Sequence, residues 1–105
     1  MNANLKLWAA ALRDGSHRPN NSSDLISYDE NSHPSYSALG VGCNTYRRTM
    51  RLGQWVRGGL FSTPGHHPCR TMPPAVLAWY GLTETPSLLG KTFAEAADIL
   101  DPPAA

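Results

Sequence analysis

Tyr36-Ser37-Ala38-Leu39-Gly40-Val41-Gly42-Cys43-Asn44-Thr45-Tyr46-Arg47-Arg48-Thr49-Met50 is the most regular stretch of the chain, and its reading decides the fold. Tyr36, Leu39, Cys43, Tyr46 and Met50 recur at steps of three, four, three and four residues, the rhythm of one apolar stripe on an α-helix. Pro34 fits the first turn of such a helix. Gly40 and Gly42 fall inside it, each costing about 1 kcal/mol relative to Ala, so close packing of a neighbour against the backbone is the expected compensation.

Shorter elements surround this one. Upstream, Asn2 or Asn4 caps a helix whose buried side is Leu5, Trp8, Ala9 and Leu12, and Gly15 ends it. Residues 16–35 form a long polar connection with a short strand at Leu25 to Tyr28. Downstream, Gln54 to Ser62 carries Trp55, Val56, Leu60 and Phe61 around Gly58-Gly59 and reads as a small β-hairpin. Met72-Pro73-Pro74 opens a third helix with Val76, Leu77, Trp79 and Tyr80 on its buried side, stopped by Gly81. Thr92 and Glu95 have the spacing of a capping box; Phe93, Ala96, Ala97 and Leu100 follow, and Pro102-Pro103 terminates the helix before a Pro-rich tail at 101–105. The 105 residues include nine Gly and nine Pro, which allows one loop-rich domain over 1–105 of α+β class, mainly short helices with a small hairpin.

Charge is distributed unevenly along the chain. From Asn31 to Thr83 there are five arginines (Arg47, Arg48, Arg51, Arg57 and Arg70) and no Asp or Glu. Three basic and four acidic residues precede this segment and one basic and four acidic residues follow it, so a middle of +5 lies between flanks of −1 and −3. On the central helix Asn44, Arg48 and Arg51 flank the apolar stripe with Arg47 at its border, and like charges this close repel. Relief comes from water and salt, from the acidic tail (Glu95, Asp98, Asp101), or from an anionic ligand. Arg48, Arg51, Arg57, Arg47 and Trp55, the last read as exposed and free to stack, are the candidate contact residues. A pI of about 7.9 and only two lysines argue against double-stranded nucleic acid.

Complete catalytic constellations are absent from the sequence. Asp29-Glu30 lies in a polar loop, Glu95 is explained as a cap, and no phosphate-cradling glycine loop is present, so the reading leans away from an enzyme. Cys43, His66, His67 and Cys69 can be written as a zinc ligand set, with His33 as the fourth ligand should Cys43 be buried, but Cys43 stands alone on an apolar stripe where a buried packing thiol is expected. No cofactor is therefore favoured, zinc being the one to test. No apolar run approaches the roughly 20 residues of a membrane span, and the N-terminus lacks signal-peptide order, so a soluble cytoplasmic protein with no membrane partner is expected.

Four blocks in one order carry a resemblance. Trp8-Ala-Ala-Ala-Leu-Arg-Asp-Gly15, Tyr36-Ser-Ala-Leu-Gly-Val-Gly-Cys43, Met72-Pro-Pro-Ala-Val-Leu-Ala-Trp-Tyr-Gly-Leu82 and Thr92-Phe-Ala-Glu-Ala-Ala-Asp-Ile-Leu100 resemble a group of small uncharacterised phage and prophage proteins. In that group a Trp-x-x-Ala-Leu-Arg-Ser-Gly opening leads to Tyr-Cys-x-Leu-Gly-Val-x-Cys, Leu-Pro-x-x-Val-x-x-Trp-Leu-Gly-Leu and Phe-x-Glu-Ile-Ala-Asp blocks. Ser37 stands where the first cysteine of the second block is usual. The resemblance implies phage or prophage origin and brings no activity with it. Joined to the charge pattern, it leads to a small phage accessory protein that acts by binding, either inhibiting a host or anti-phage defence protein or sequestering an anionic small molecule or nucleotide. The alternatives are a small structural protein of the virion or its assembly, with homo-oligomerisation compatible, and a zinc-stabilised interaction module.

Overall fold

Ser37 sets the boundary on which the architecture turns. Its Oγ accepts from the Gly40 N–H at 3.1 Å while its own backbone is extended (φ −77°, ψ 169°), which caps a helix beginning at Ala38 and sends the preceding residues out as a strand. In this computed structural model, which describes residues 3–20 and 24–102, the element order is α1 (Ala3–Arg13), β1 (Ile26–Tyr28), β2 (Pro34–Tyr36), α2 (Ala38–Met50), β3 (Gln54–Val56), β4 (Leu60–Ser62), α3 (Pro74–Trp79) and α4 (Phe93–Leu100). Asn2, residues 21–23 of the connection, and Pro103 with the rest of the tail lie outside the described residues. The α+β class expected from the sequence is observed, with two antiparallel hairpins rather than one among the described residues.

Pro34 and Tyr36 therefore sit in β2 and not in the central helix. Proline is tolerated there because it opens a two-stranded edge, opposite Tyr28. Tyr36 pairs with Ile26, and its N–H and C=O also bond Arg18 O (2.7 Å) and Asn20 N (2.9 Å), which ties part of the 16–35 connection to the hairpin. Asn4 is not a cap either. α1 begins at Ala3, and the Asn4 amide donates instead to Trp79 O at 2.8 Å, joining α1 to the end of α3.

Gly40 and Gly42 have the compensation expected of them. A Cβ on Gly40 would collide with the Leu25 carbonyl, and one on Gly42 would lie 2.7 Å from Trp8 Cε2, so the connection and α1 lie directly on the bare backbone of α2. Trp8 is fully buried there, donates its indole N–H to Ala38 O at 3.0 Å, and packs at 4.8 Å on the ring of Tyr80. The Tyr80 hydroxyl donates to Gly42 O at 2.6 Å. Val41, Cys43, Phe61, Val76, Ala96 and Ala97 complete the centre of one shared core. A radius of gyration of 12.9 Å fits a single domain of this length, for which about 13 Å is usual.

α4 forms as its local sequence dictates. Thr92 Oγ1 accepts from Glu95 N at 3.1 Å, and Glu95 returns an acceptor to Thr92 N at 2.9 Å. The helix lays Ala96, Ala97 and Leu100 on α1, where Arg13 bonds Asp98 (3.0 Å) and Asp101 (3.2 Å). No described helix is long and apolar enough to cross a membrane.

Candidate functional site: an arginine-edged hollow over a buried histidine

Asn44 is the centre of the polar structure on α2. It is buried, and its Oδ1 accepts from Arg47 Nε at 3.0 Å and from Trp55 Nε1 at 3.1 Å. Both of those groups can only donate, so the atom facing them is the amide oxygen, and the amide nitrogen faces His17 Nε2 at 3.0 Å. His17 Nε2 must then be an unprotonated acceptor, leaving the proton on Nδ1, which lies 2.9 Å from Ser16 Oγ. Burial, and after it the charge of Arg48, hold the His17 imidazole below its usual range, which agrees with the neutral tautomer the hydrogen bonds require.

Above this network lies an open hollow of about 770 Å³ lined by His17, Arg18, Tyr36, Asn44, Arg47 and Arg48, among others. Arg47 is half-buried and bonded to described residues through Nε alone, so its two Nη groups remain to donate. The Tyr36 ring is half-buried edge-on to His17 at 4.8 Å. Burial raises the Tyr36 phenol above its ordinary range, while the nearby Arg47 and Arg48 charges oppose that shift. Its hydroxyl stays protonated at neutral pH, a third donor beside two guanidinium groups.

The acidic tail does not neutralise these arginines. Asp98 and Asp101 are taken by Arg13, and Glu95 by its capping box. Among the described residues, Arg47, Arg48, Arg51, Arg57 and Arg70 form no salt bridge, although Asp14 lies near enough to Arg48 to feel its charge. Arg18 is paired with Asp29 at 3.2 Å.

The five contact residues expected from the sequence do not form one patch. Arg47 and Arg48 share the hollow, whereas Arg57 and Trp55 border a second depression with Tyr28, and Arg51 a third with His66. The separation begins at Arg51, whose backbone is left-handed (φ 56°) and turns the chain off the helix axis. Trp55 is half-buried against Tyr36 and Phe61 with its N–H engaged, not exposed and free to stack. Cys43 is fully buried in the core, and burial pushes its thiol far up, as expected of a packing residue; it lies outside the group formed by His66, His67 and Cys69. His33 points to Asp29 instead, at 3.6 Å.

Sequence reasoning missed His17 and Arg18. Their signal was a basic residue beside a histidine a few residues after α1, within the segment read as a polar connection. Comparison with known proteins adds no relative: no family model, no curated protein and no solved structure matches the chain significantly.

Proposed function

We propose that the chain is a small phage accessory protein that acts by binding, in the cytoplasm of the infected cell, and that its ligand is a small phosphate-bearing anion taken in the hollow between Arg47, Arg48 and Tyr36. The phage assignment rests on the four-block sequence resemblance. The ligand assignment rests on one observation: Arg47 is held by Asn44 through Nε, with neither Nη group bonded among the described residues, in a hollow that also offers Arg48 and the Tyr36 hydroxyl. A guanidinium fixed in this way loses little freedom on meeting a phosphate and matches its oxygens with two parallel donors. Arg18, whose partner Asp29 is exchangeable at the surface, adds a third cation at the rim.

Calorimetric titration with inorganic phosphate and with nucleoside mono-, di- and triphosphates at low and high salt tests this reading. Binding should weaken steeply with ionic strength, and Arg47→Ala with Arg48→Ala should lower affinity at least about tenfold while Arg57→Ala leaves it unchanged. Failure of every phosphate ligand to bind at low salt would overturn it. A structural role in an assembly is the second reading, favoured by the exposed apolar side chains Leu7 (44%), Leu89 (79%) and Ile99 (50%). Native mass spectrometry separates the two, since an assembly held by apolar surface gives a salt-insensitive oligomer.

A further inference from the structure

The loop after β4 gathers chemistry that the hollow does not use. Phe61 and Cys69 exchange backbone hydrogen bonds in both directions at 2.9 Å, closing the segment between them at its base. Inside it, His66 N donates to Thr63 O at 3.1 Å and Gly65 turns the chain at φ +77°. This curl stacks the His66 and His67 rings at 4.4 Å and brings one ligand atom from each of His66, His67 and Cys69 to within 4.8 Å of the others.

His66 Nδ1 lies 3.5 Å from Cys69 Sγ. With Zn–S and Zn–N bonds of about 2.3 and 2.0 Å, the nitrogen and sulfur of a tetrahedral site stand about 3.5 Å apart, so this pair is already at ligand spacing. The His67 carbonyl approaches both atoms, at 2.9 Å from His66 Nδ1 and 3.4 Å from Cys69 Sγ, so polar atoms converge on one small volume that protons now hold together. Thr63 Oγ1, at the start of the loop, is buried without a hydrogen-bond partner among the described residues, and Thr63 lines the same depression as His66.

We propose that His66, His67 and Cys69 form a three-ligand site for a borderline transition-metal ion, zinc first, with the fourth coordination position open. The donor set selects the class of ion. Two imidazoles and one thiolate suit zinc or cobalt, whereas calcium and magnesium require oxygen ligands, and no carboxylate belongs to the group. One thiolate against a divalent ion leaves the centre cationic, and Arg51 borders the His66 depression, so the open position favours an anion or water. Cys43 cannot close the site because it is sealed in the core. The site is separate from the arginine-edged hollow and does not depend on its ligand.

Cobalt(II) is the probe, titrated into the full chain under a phosphine reductant and followed by absorption. One equivalent should produce a thiolate-to-cobalt charge-transfer band with visible bands of low coordination number, and zinc should bleach both. Cys69→Ser should abolish the charge-transfer band, and Cys43→Ala should keep it. His67→Asn alters an exposed side chain, so it provides an arm in which folding is not at stake; circular dichroism confirms that for each variant. Its affinity for cobalt should fall at least about tenfold. No charge-transfer band in the natural chain, a band unchanged in Cys69→Ser, or an affinity unchanged in His67→Asn each overturns the site.

Discussion

The indole N–H of Trp55 donates to Asn44 Oδ1 across 3.1 Å, joining the second hairpin to the helix that carries the arginines. Asn44→Leu keeps the volume but leaves the Trp55 N–H, Arg47 Nε and His17 Nε2 without this partner. Orphaned buried polar groups cost about 1–3 kcal/mol, so urea unfolding should show a loss of that size. Because Arg47 loses its anchor, phosphate affinity should fall as well, whereas a purely structural Asn44 would move stability alone.

His17 should make the fold sensitive to pH above the range of the carboxylates. Its imidazole is held below the usual value of 6.5, so near and below that pH the unfolded chain binds more protons than the folded one. Stability is then complete above about pH 7 and is lost as pH falls through the unfolded pKa, a slope that His17→Gln should flatten. Asn44→Asp should reverse the direction. It sets an acceptor against Nε2, which must then carry a proton, and NMR titration of the His17 ring should show its pKa rising.

How much of this was legible depended on the range of each interaction. The capping box of α4 is spelled within four residues and the apolar face of α1 within one helix, so both are legible locally. The start of α2 was misplaced because Tyr36 keeps the phase of the helical stripe while its backbone is already committed to β2; only the Ser37 cap separates the two, and it lacks the Glu or Gln that completes a capping box. His17 stayed hidden because the residue that defines its role, Asn44, is 27 positions away. The arginines were legible as a charge excess but not as a surface, since the left-handed turn at Arg51 distributes them over three faces.

Arg51 itself supports a stabilising substitution. It caps α2 at φ 56° with its N–H on Arg47 O at 2.9 Å, a left-handed conformation that costs a side chain about 1 kcal/mol and costs glycine almost nothing. Arg51→Gly should therefore raise the midpoint of thermal unfolding by several degrees, at about 4–8 °C per kcal/mol for a domain of this size. Phosphate affinity should not change, because Arg51 lies outside the hollow. A fall in affinity would move the binding surface to the depression shared with His66.

The two glycines of α2 should differ in their tolerance of alanine, and the order follows from what each methyl group meets. At Gly42 the new Cβ lies 2.7 Å from Trp8 Cε2 and 3.0 Å from Met72 Cε. Both are side-chain atoms, and the methionine end can move, so Gly42→Ala should cost about 1–3 kcal/mol, the usual range for overpacking a core. At Gly40 the obstacle is the carbonyl of Leu25, whose oxygen also accepts from Ser37 N at 3.3 Å next to the cap of α2. Backbone cannot rotate out of the way, so Gly40→Ala must displace Leu25 from the core or lift β1 off the helix. Chemical denaturation should rank Gly40→Ala as the more damaging, with hydrogen exchange accelerated at Ile26 to Tyr28 in that variant and not in Gly42→Ala. Equal losses in both, with β1 still protected, would mean that the connection does not rest on the bare backbone of α2.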